Sequence, residues 1–153
     1  MSAICLIDTS VFVEILNVPK LANQHSLIID LLRLKLQDKE LLFLPMATIL
    51  ETGNHIAQNG NGDERWNCAN RFVTQVKKAL AGDSPFQPVK FLEREQLLQW
   101  LAEFPESAKR KSGLGDLSII HDFQRTCSLN HGRKVYIWSL DEHLSSFCRE
   151  AKL

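Results

Sequence analysis

The sequence predicts a single α/β domain built on a mostly parallel sheet. Three observations predict it. The apolar runs Ile4-Cys5-Leu6-Ile7, Leu41-Leu42-Phe43-Leu44 and Val135-Tyr136-Ile137-Trp138 are continuous rather than alternating, as in strands buried on both faces. Amphipathic helical stretches separate them, so strand and helix alternate along the chain. The length, 153 residues, suits one domain and is enough to bury a core.

The elements follow in order. The first strand, Ile4 to Ile7, ends at Asp8-Thr9-Ser10, where Thr9 or Ser10 can cap a helix carrying Val11, Phe12, Ile15 and Leu16. Pro19 breaks that helix, and a second is expected over Ala22 to Gln37. The strand Leu41 to Leu44 is closed by Pro45. A helix over Met46 to Gln58 follows, with Met46, Ile49, Leu50, Gly53, Ile56 and Ala57 inward. Asn59-Gly60-Asn61-Gly62 is a strong turn signal. Next come a helix from Asp63 or Glu64 to Leu80, a stop at Gly82-Asp83-Ser84-Pro85 and a weak strand, Val89 to Leu92. Glu93 to Phe104 reads as helix with Leu97, Leu98 and Leu101 inward, and Lys109 to Gly115 as a basic, glycine-bearing loop. A helix from Asp116 to Ser128, a turn at Asn130 to Arg133, the strand Val135 to Trp138 and a closing helix from Asp141 to Arg149 complete the chain. No repeat or linker interrupts it.

Composition narrows the function classes. Basic and acidic side chains balance at 18 each, hydrophobic residues make up 44% and charged residues 24%. These are globular values, outside the disordered and low-complexity classes. The balance argues against a strongly basic nucleic-acid module and leaves open an enzyme acting on nucleic acid. It also hides an asymmetry: residues 1–70 carry 5 basic and 8 acidic side chains, residues 71–153 carry 13 and 10. The first residues lack the pattern of a signal peptide, and no stretch approaches the ~20 apolar residues of a membrane helix. Cys5, Cys68, Cys127 and Cys148 are scattered, without the spacing of a zinc site or disulfide framework, so a reducing, cytoplasmic setting is expected.

Four carboxylates fall at telling places. In open parallel sheets, ligands collect at the carboxyl ends of strands. Asp8 follows the first strand directly, and Asp141 follows the last behind Ser139-Leu140. Asp116 opens a helix and lies on its apolar stripe with Ile120, Phe123 and Cys127. Glu51 sits early in the helix after the second strand. Taken singly, Asp8 and Asp141 also read as helix caps, Glu51 as a solvated flank residue and Asp116 as an acid facing the helix dipole. Gathered together, four like charges repel, and a hard divalent cation with oxygen ligands is the simplest relief. Such a cation activates water and stabilises charge on phosphate.

These residues resemble the PIN-domain nucleases, in particular the VapC-like toxins of bacterial toxin–antitoxin pairs. Ile7-Asp8-Thr9-Ser10-Val11-Phe12 is similar to the first block of that family. Pro45 to Glu51, ending in Ile49-Leu50-Glu51, is similar to the second. Leu114-Gly115-Asp116-Leu117-Ser118-Ile119-Ile120 resembles the third and Ser139-Leu140-Asp141-Glu142-His143-Leu144 the fourth, and the blocks span nearly the whole chain in family order. The resemblance implies a three-layer α/β/α sandwich with a central sheet of four to five strands. It implies a Mg²⁺- or Mn²⁺-dependent endoribonuclease with Asp8, Glu51, Asp116 and Asp141 as catalytic and metal-binding acids and Ser10 and Ser139 as supporting hydroxyls. It further implies an RNA substrate, a homodimer and an antitoxin as a separate chain. The chain departs from the pattern in an extended segment around Asn59 to Pro88 and a longer turn around Ser128 to Lys134.

Lys109, Arg110 and Lys111, just before Asp116, are candidates for phosphate binding, although charge runs are more often solvated faces. Trp138 and Trp100 fit packed positions, Trp66 follows the exposed turn, and His143 is the one histidine placed as a neighbour of the acids. Phosphotransferases of the haloacid-dehalogenase type need Asp-x-Asp where this chain has Asp8-Thr9-Ser10, and no glycine-rich phosphate loop follows the first strand. The competing non-enzyme reading is an inactive or non-toxin PIN-like scaffold that binds protein or RNA. It predicts the loss of one or more acids, and all four are present.

Overall fold

A computed structural model describes residues 1–152. Along the chain it places β1 (Ile4–Ile7), α1 (Thr9–Ile15), α2 (His25–Gln37), β2 (Leu41–Leu44), α3 (Met46–Gln58), α4 (Gly62–Ala81) and β3 (Phe86–Pro88). These are followed by α5 (Arg94–Lys109), α6 (Leu114–Leu129), β4 (Val135–Trp138), α7 (Glu142–Ser145) and β5 (Cys148–Arg149). The five strands form one sheet in the order β3-β2-β1-β4-β5. β1 runs parallel to both neighbours, with Ile4 opposite Leu41 on one side and Val135 on the other. β3 is parallel to β2, and only the edge strand β5 is antiparallel.

Successive side chains of a strand point to opposite faces, so each strand feeds two cores. On one face Cys5, Ile7, Leu42, Leu44 and Trp138 pack against Phe12, Ile28, Leu32, Ile56 and Cys68 from α1 to α4. On the other, Ile4, Leu6, Val135 and Ile137 meet Ile119, Ile120 and Phe123 of α6 and Leu144 of α7. The result is a three-layer α/β/α sandwich, with α5 packed on α6. Complete burial of Ile4 to Ile7 is why β1 reads as an unbroken apolar run.

Several expected boundaries move, each for a local reason. The N-cap of α1 is Asp8, not Thr9 or Ser10, because both hydroxyls are engaged elsewhere. α2 begins at His25 rather than Ala22. Buried Glu14 accepts from the backbone N–H groups of Asn23 and Gln24, at 3.1 and 2.9 Å, and holds that segment ahead of the helix. α3 turns Thr48, Thr52 and Ile56 inward and leaves Leu50 61% exposed. Thr48 donates to the carbonyl of Ile7 at 2.7 Å, fixing α3 to the end of β1. α4 starts at Gly62, with Asn61 and Glu64 forming a capping box.

The third strand is Phe86–Pro88, not Val89 to Leu92. Phe86 is the residue that packs, edge-on to Phe12 with ring centroids 5.9 Å apart, and Pro88 is tolerated because the strand lies at an edge. α5 continues through Pro105 to Lys109, so Lys109 belongs to a helix and not to the expected loop. Because α5 packs on α6 along one side, Trp100 is covered while Leu97, Leu98 and Leu101 are exposed. The closing helix shortens to Glu142–Ser145. Phe147 packs edge-on to Phe123 and its carbonyl accepts from Ile137 N–H at 3.0 Å, which turns the chain into β5.

Asp122 of α6 is buried, with the guanidinium of Arg125 3.8 Å away. Burial pushes its carboxyl up to about 6, against the smaller opposing pull of Arg125 and His121. A raised carboxyl favours the fold fully below its unfolded value, and that benefit is lost as pH rises through about 6. Asp122→Asn should therefore add about 3 kcal/mol at pH 7 and little at pH 4. Urea unfolding at the two pH values measures this, and equal stability of the two proteins at pH 7 refutes it.

No helix among the described residues is long and apolar enough to cross a membrane.

Candidate active site

The sheet order places the site. From β1 the chain crosses outward to β2 and β3, then returns past β1 to β4. β1 and β4 are therefore the neighbours at which the order reverses, and the crevice beyond their carboxyl ends is where open α/β sheets bind ligands. Asp8 stands there, its backbone N–H donating to the carbonyl of Trp138 at 3.0 Å.

Asp8 is buried and its Oδ2 accepts two hydroxyls, from Ser10 at 2.8 Å and Ser139 at 2.7 Å. Ser10 in turn accepts from Leu140 N–H at 2.9 Å, and Ser139 from Asp141 N–H at 3.0 Å. Each hydroxyl has one proton, so with both spent on Asp8 the two oxygens, 3.2 Å apart, share none. These two serines tie the end of β1 to the turn after β4 and fix the direction of the Asp8 carboxylate.

Glu51 projects from α3, and its Oε2 accepts from Thr9 at 3.0 Å. Asp116 comes from the first turn of α6. Asp141 caps α7, accepting from Leu144 N–H at 2.8 Å. All four acids line one cleft of about 410 Å³, together with Thr9, Ser10, Glu14 and His55. A larger cleft of about 790 Å³, between α1, α2, α4 and β3, contains no carboxylate.

The charges in the cleft are coupled. Burial raises Glu51 above the ordinary carboxylate range. The Thr9 hydroxyl opposes that, Asp8 and Asp116 add to it, and His55 works against them. Asp116 is likewise raised, first by burial, then by Asp8 and Asp141, with His143 opposing. Carboxyls raised in part by neighbouring acids have those acids close by. Among the described residues, no three His, Cys, Asp or Glu side chains are drawn into ligating geometry.

Gly115 makes room for Glu51. A Cβ at that position would lie 1.8 Å from Glu51 Oε1 and 2.9 Å from its Cδ. The glycine thus lets the amino end of α6 close directly over the Glu51 carboxylate.

The basic run divides. Arg110 and Lys111 line a second groove, about 630 Å³, which shares Asp116 and Asp141 with the acidic cleft, while Lys109 lies outside it. His143 and Phe147 line the same groove. α5 ends there in a Schellman motif: Lys111 N–H donates to Ala108 at 3.0 Å and Ser112 N–H to Ser107 at 2.8 Å. Lys111 takes the left-handed position at φ 61°, where glycine is usual, and Lys39 does the same at φ 56° after α2.

Thr9, Glu14, His55 and the space at Gly115 are the parts that sequence reasoning missed. Two signals were present. His55 is one turn after Glu51, and Glu14 is the one charged residue in the apolar stretch of α1. Compared with family models, curated proteins and solved structures, the chain matches none.

Proposed function

We propose that the protein is a divalent-cation-dependent endoribonuclease of the PIN-domain kind, acting as the toxin of a toxin–antitoxin pair in the cytoplasm. The observation that carries this reading is the convergence of Asp8, Glu51, Asp116 and Asp141, from four separate parts of the chain, on one cleft. An all-oxygen, multiply anionic donor set, with Glu51 and Asp116 raised by burial and by neighbouring acids, fits Mg²⁺ or Mn²⁺ better than zinc or a soft metal. Asp8, Asp116 and Asp141 would hold the ion, directly or through water, with Glu51 completing the set. Bound there, the cation would supply charge neutralisation for the phosphate and an activated water.

The chain's own residues do the rest. Ser10 and Ser139 hold Asp8 in one orientation, so little reorganisation accompanies cation binding. Thr9 engages Glu51 Oε2 and leaves Oε1 free. A raised carboxyl at that atom is a better proton acceptor than an ordinary one and suits a water attacking phosphorus. A homodimer and a separate antitoxin chain belong to the same proposal. Copurification from the native host and light scattering test them.

The direct experiment incubates single-stranded RNA with the protein in Mg²⁺, Mn²⁺ or EDTA. Cleavage in the first two and none in EDTA is expected, and no cleavage under any condition refutes the reading. Cation binding has an independent readout in stability. Glu51 and Asp116 are raised, so their contribution is full below the ordinary carboxylate range and is lost as pH rises through their folded values. The cation-free protein is therefore strained by these charges at neutral pH, and Mg²⁺ should relieve it there. At a tenfold excess over Kd the gain is about 1.4 kcal/mol. That corresponds to roughly 3–5 °C in Tm at pH 7.5, with a smaller shift at pH 4.5. An equal shift at both pH values counts against these two acids as ligands.

A further inference from the structure

The groove beside the acidic cleft is built differently from the cleft itself. It is lined by Arg110 and Lys111, at the end of α5 and just beyond it, and also by His143 and Phe147. The His143 ring meets Phe147 edge-on at 5.5 Å, and Phe147 meets Phe123 edge-on at 5.7 Å. The imidazole is thus buttressed by a row of rings anchored in the core, while His143 itself is exposed. The carboxylate of Glu103, also in this lining, is engaged by His121 at 2.6 Å and makes no ion pair with Arg110 or Lys111. Asp116 and Asp141 lie where groove and cleft join.

We propose that this groove is the subsite for the nucleotides flanking the cleaved bond. Arg110 and Lys111 take the backbone phosphates, and one base stacks on His143. The inference rests on the ribonuclease reading and specifies how the substrate lies, leaving the acids along the α5–α6 side. Cations and an aromatic platform in one groove are the two components of sequence-tolerant single-strand binding. A base can reach the His143 ring only when it is unpaired, so the groove selects single-stranded nucleic acid over duplex.

Lys111 allows a test that unfolding cannot confuse. Its backbone is already in the conformation glycine prefers. Lys111→Gly removes the charge and relieves the left-handed position, so Tm should rise while binding falls. Lys39→Gly gives the same relief with the same loss of charge, at the opposite end of the sheet, and serves as the control. Anisotropy of a fluorescein-labelled 12-nucleotide single strand, in EDTA so that nothing is cut, reads binding. RNA and DNA versions and the matching duplex are compared.

The wild type should bind single strands more tightly than duplex. Lys111→Gly should weaken binding about 5- to 10-fold and reduce the salt slope by about 1. Lys39→Gly should leave both unchanged. His143→Ala should weaken single-strand binding about 10-fold with the salt slope unchanged, and His143→Trp should restore it. Wild-type binding by both Lys111→Gly and His143→Ala overturns the inference while leaving the nuclease reading standing, provided that RNA is cut in Mg²⁺. The expected binding pattern without cleavage supports the groove and overturns the nuclease reading. No binding of any strand overturns the groove inference, and cleavage in Mg²⁺ alone then decides the nuclease reading.

Discussion

Asp8→Asn is expected to lower Mg²⁺-dependent RNA cleavage by about 10²–10³-fold while leaving the fold intact, a loss of the size seen when one preorganised electrostatic group is removed from a catalytic site. The fold should survive because an asparagine carbonyl oxygen can still accept the Ser10 and Ser139 hydroxyls that Oδ2 accepts now. It also removes one of the charges that raise Glu51 and Asp116, so the cation-free variant should be no less stable than the wild type at neutral pH. Cation binding is where the cost falls. Asp8 is the buried, doubly hydrogen-bonded acid of the four, hence the one whose position is held best. Single-turnover cleavage beside a thermal melt decides the matter. Wild-type activity in a folded Asp8→Asn protein removes Asp8 from the site.

Gly115→Ala should separate stability from activity. Alanine favours a helix over glycine by up to about 1 kcal/mol, so α6 gains if anything. The new methyl, however, occupies the space of the Glu51 carboxylate, 1.8 Å from Oε1. Glu51 is the end of a flexible side chain and swings away, losing the Thr9 hydroxyl at 3.0 Å. A displacement of this kind costs about 10²-fold in rate. Glu51→Asp in the same protein pulls the carboxylate back by one methylene and should recover part of the loss, so the two changes are non-additive. Unchanged cleavage by Gly115→Ala shows that Glu51 has no required position.

The parts of the fold that sequence made legible are those with strong, two-sided burial. β1, β2, α3 and β4 lie where continuous apolar runs and Pro45 put them, because every strand residue at the centre of a sandwich must be apolar. The misplaced elements are peripheral. β5 spans two residues, Cys148 and Arg149, and is defined by pairing with β4 that no local pattern encodes. β3 hangs on the single buried side chain of Phe86. The stripe of Leu97, Leu98 and Leu101 misled for the same reason: periodicity shows that a helix has an apolar side, not that a neighbour covers it.

The candidate site was legible as acids at strand ends, since topology alone sends those positions to one crevice. The Thr9 hydroxyl on Glu51, the His55 contribution and the closeness of Gly115 to Glu51 were not. The Thr9–Glu51 pair is 42 positions apart, and only the folded packing brings it, or Gly115 and Glu51, together.

The reversal of strand order at β1 and β4 has a consequence in time. Asp8 is made 131 positions before Ser139, which orients it. At about 5–20 residues per second, synthesis of that interval takes roughly 7–26 s. Throughout it the growing chain holds one acid, then two, then three, but has neither β4 to pair with β1 nor the serine that aims Asp8. On the ribonuclease reading proposed above, this order would keep the chain inert near its own message until the last parallel strand closes the sheet.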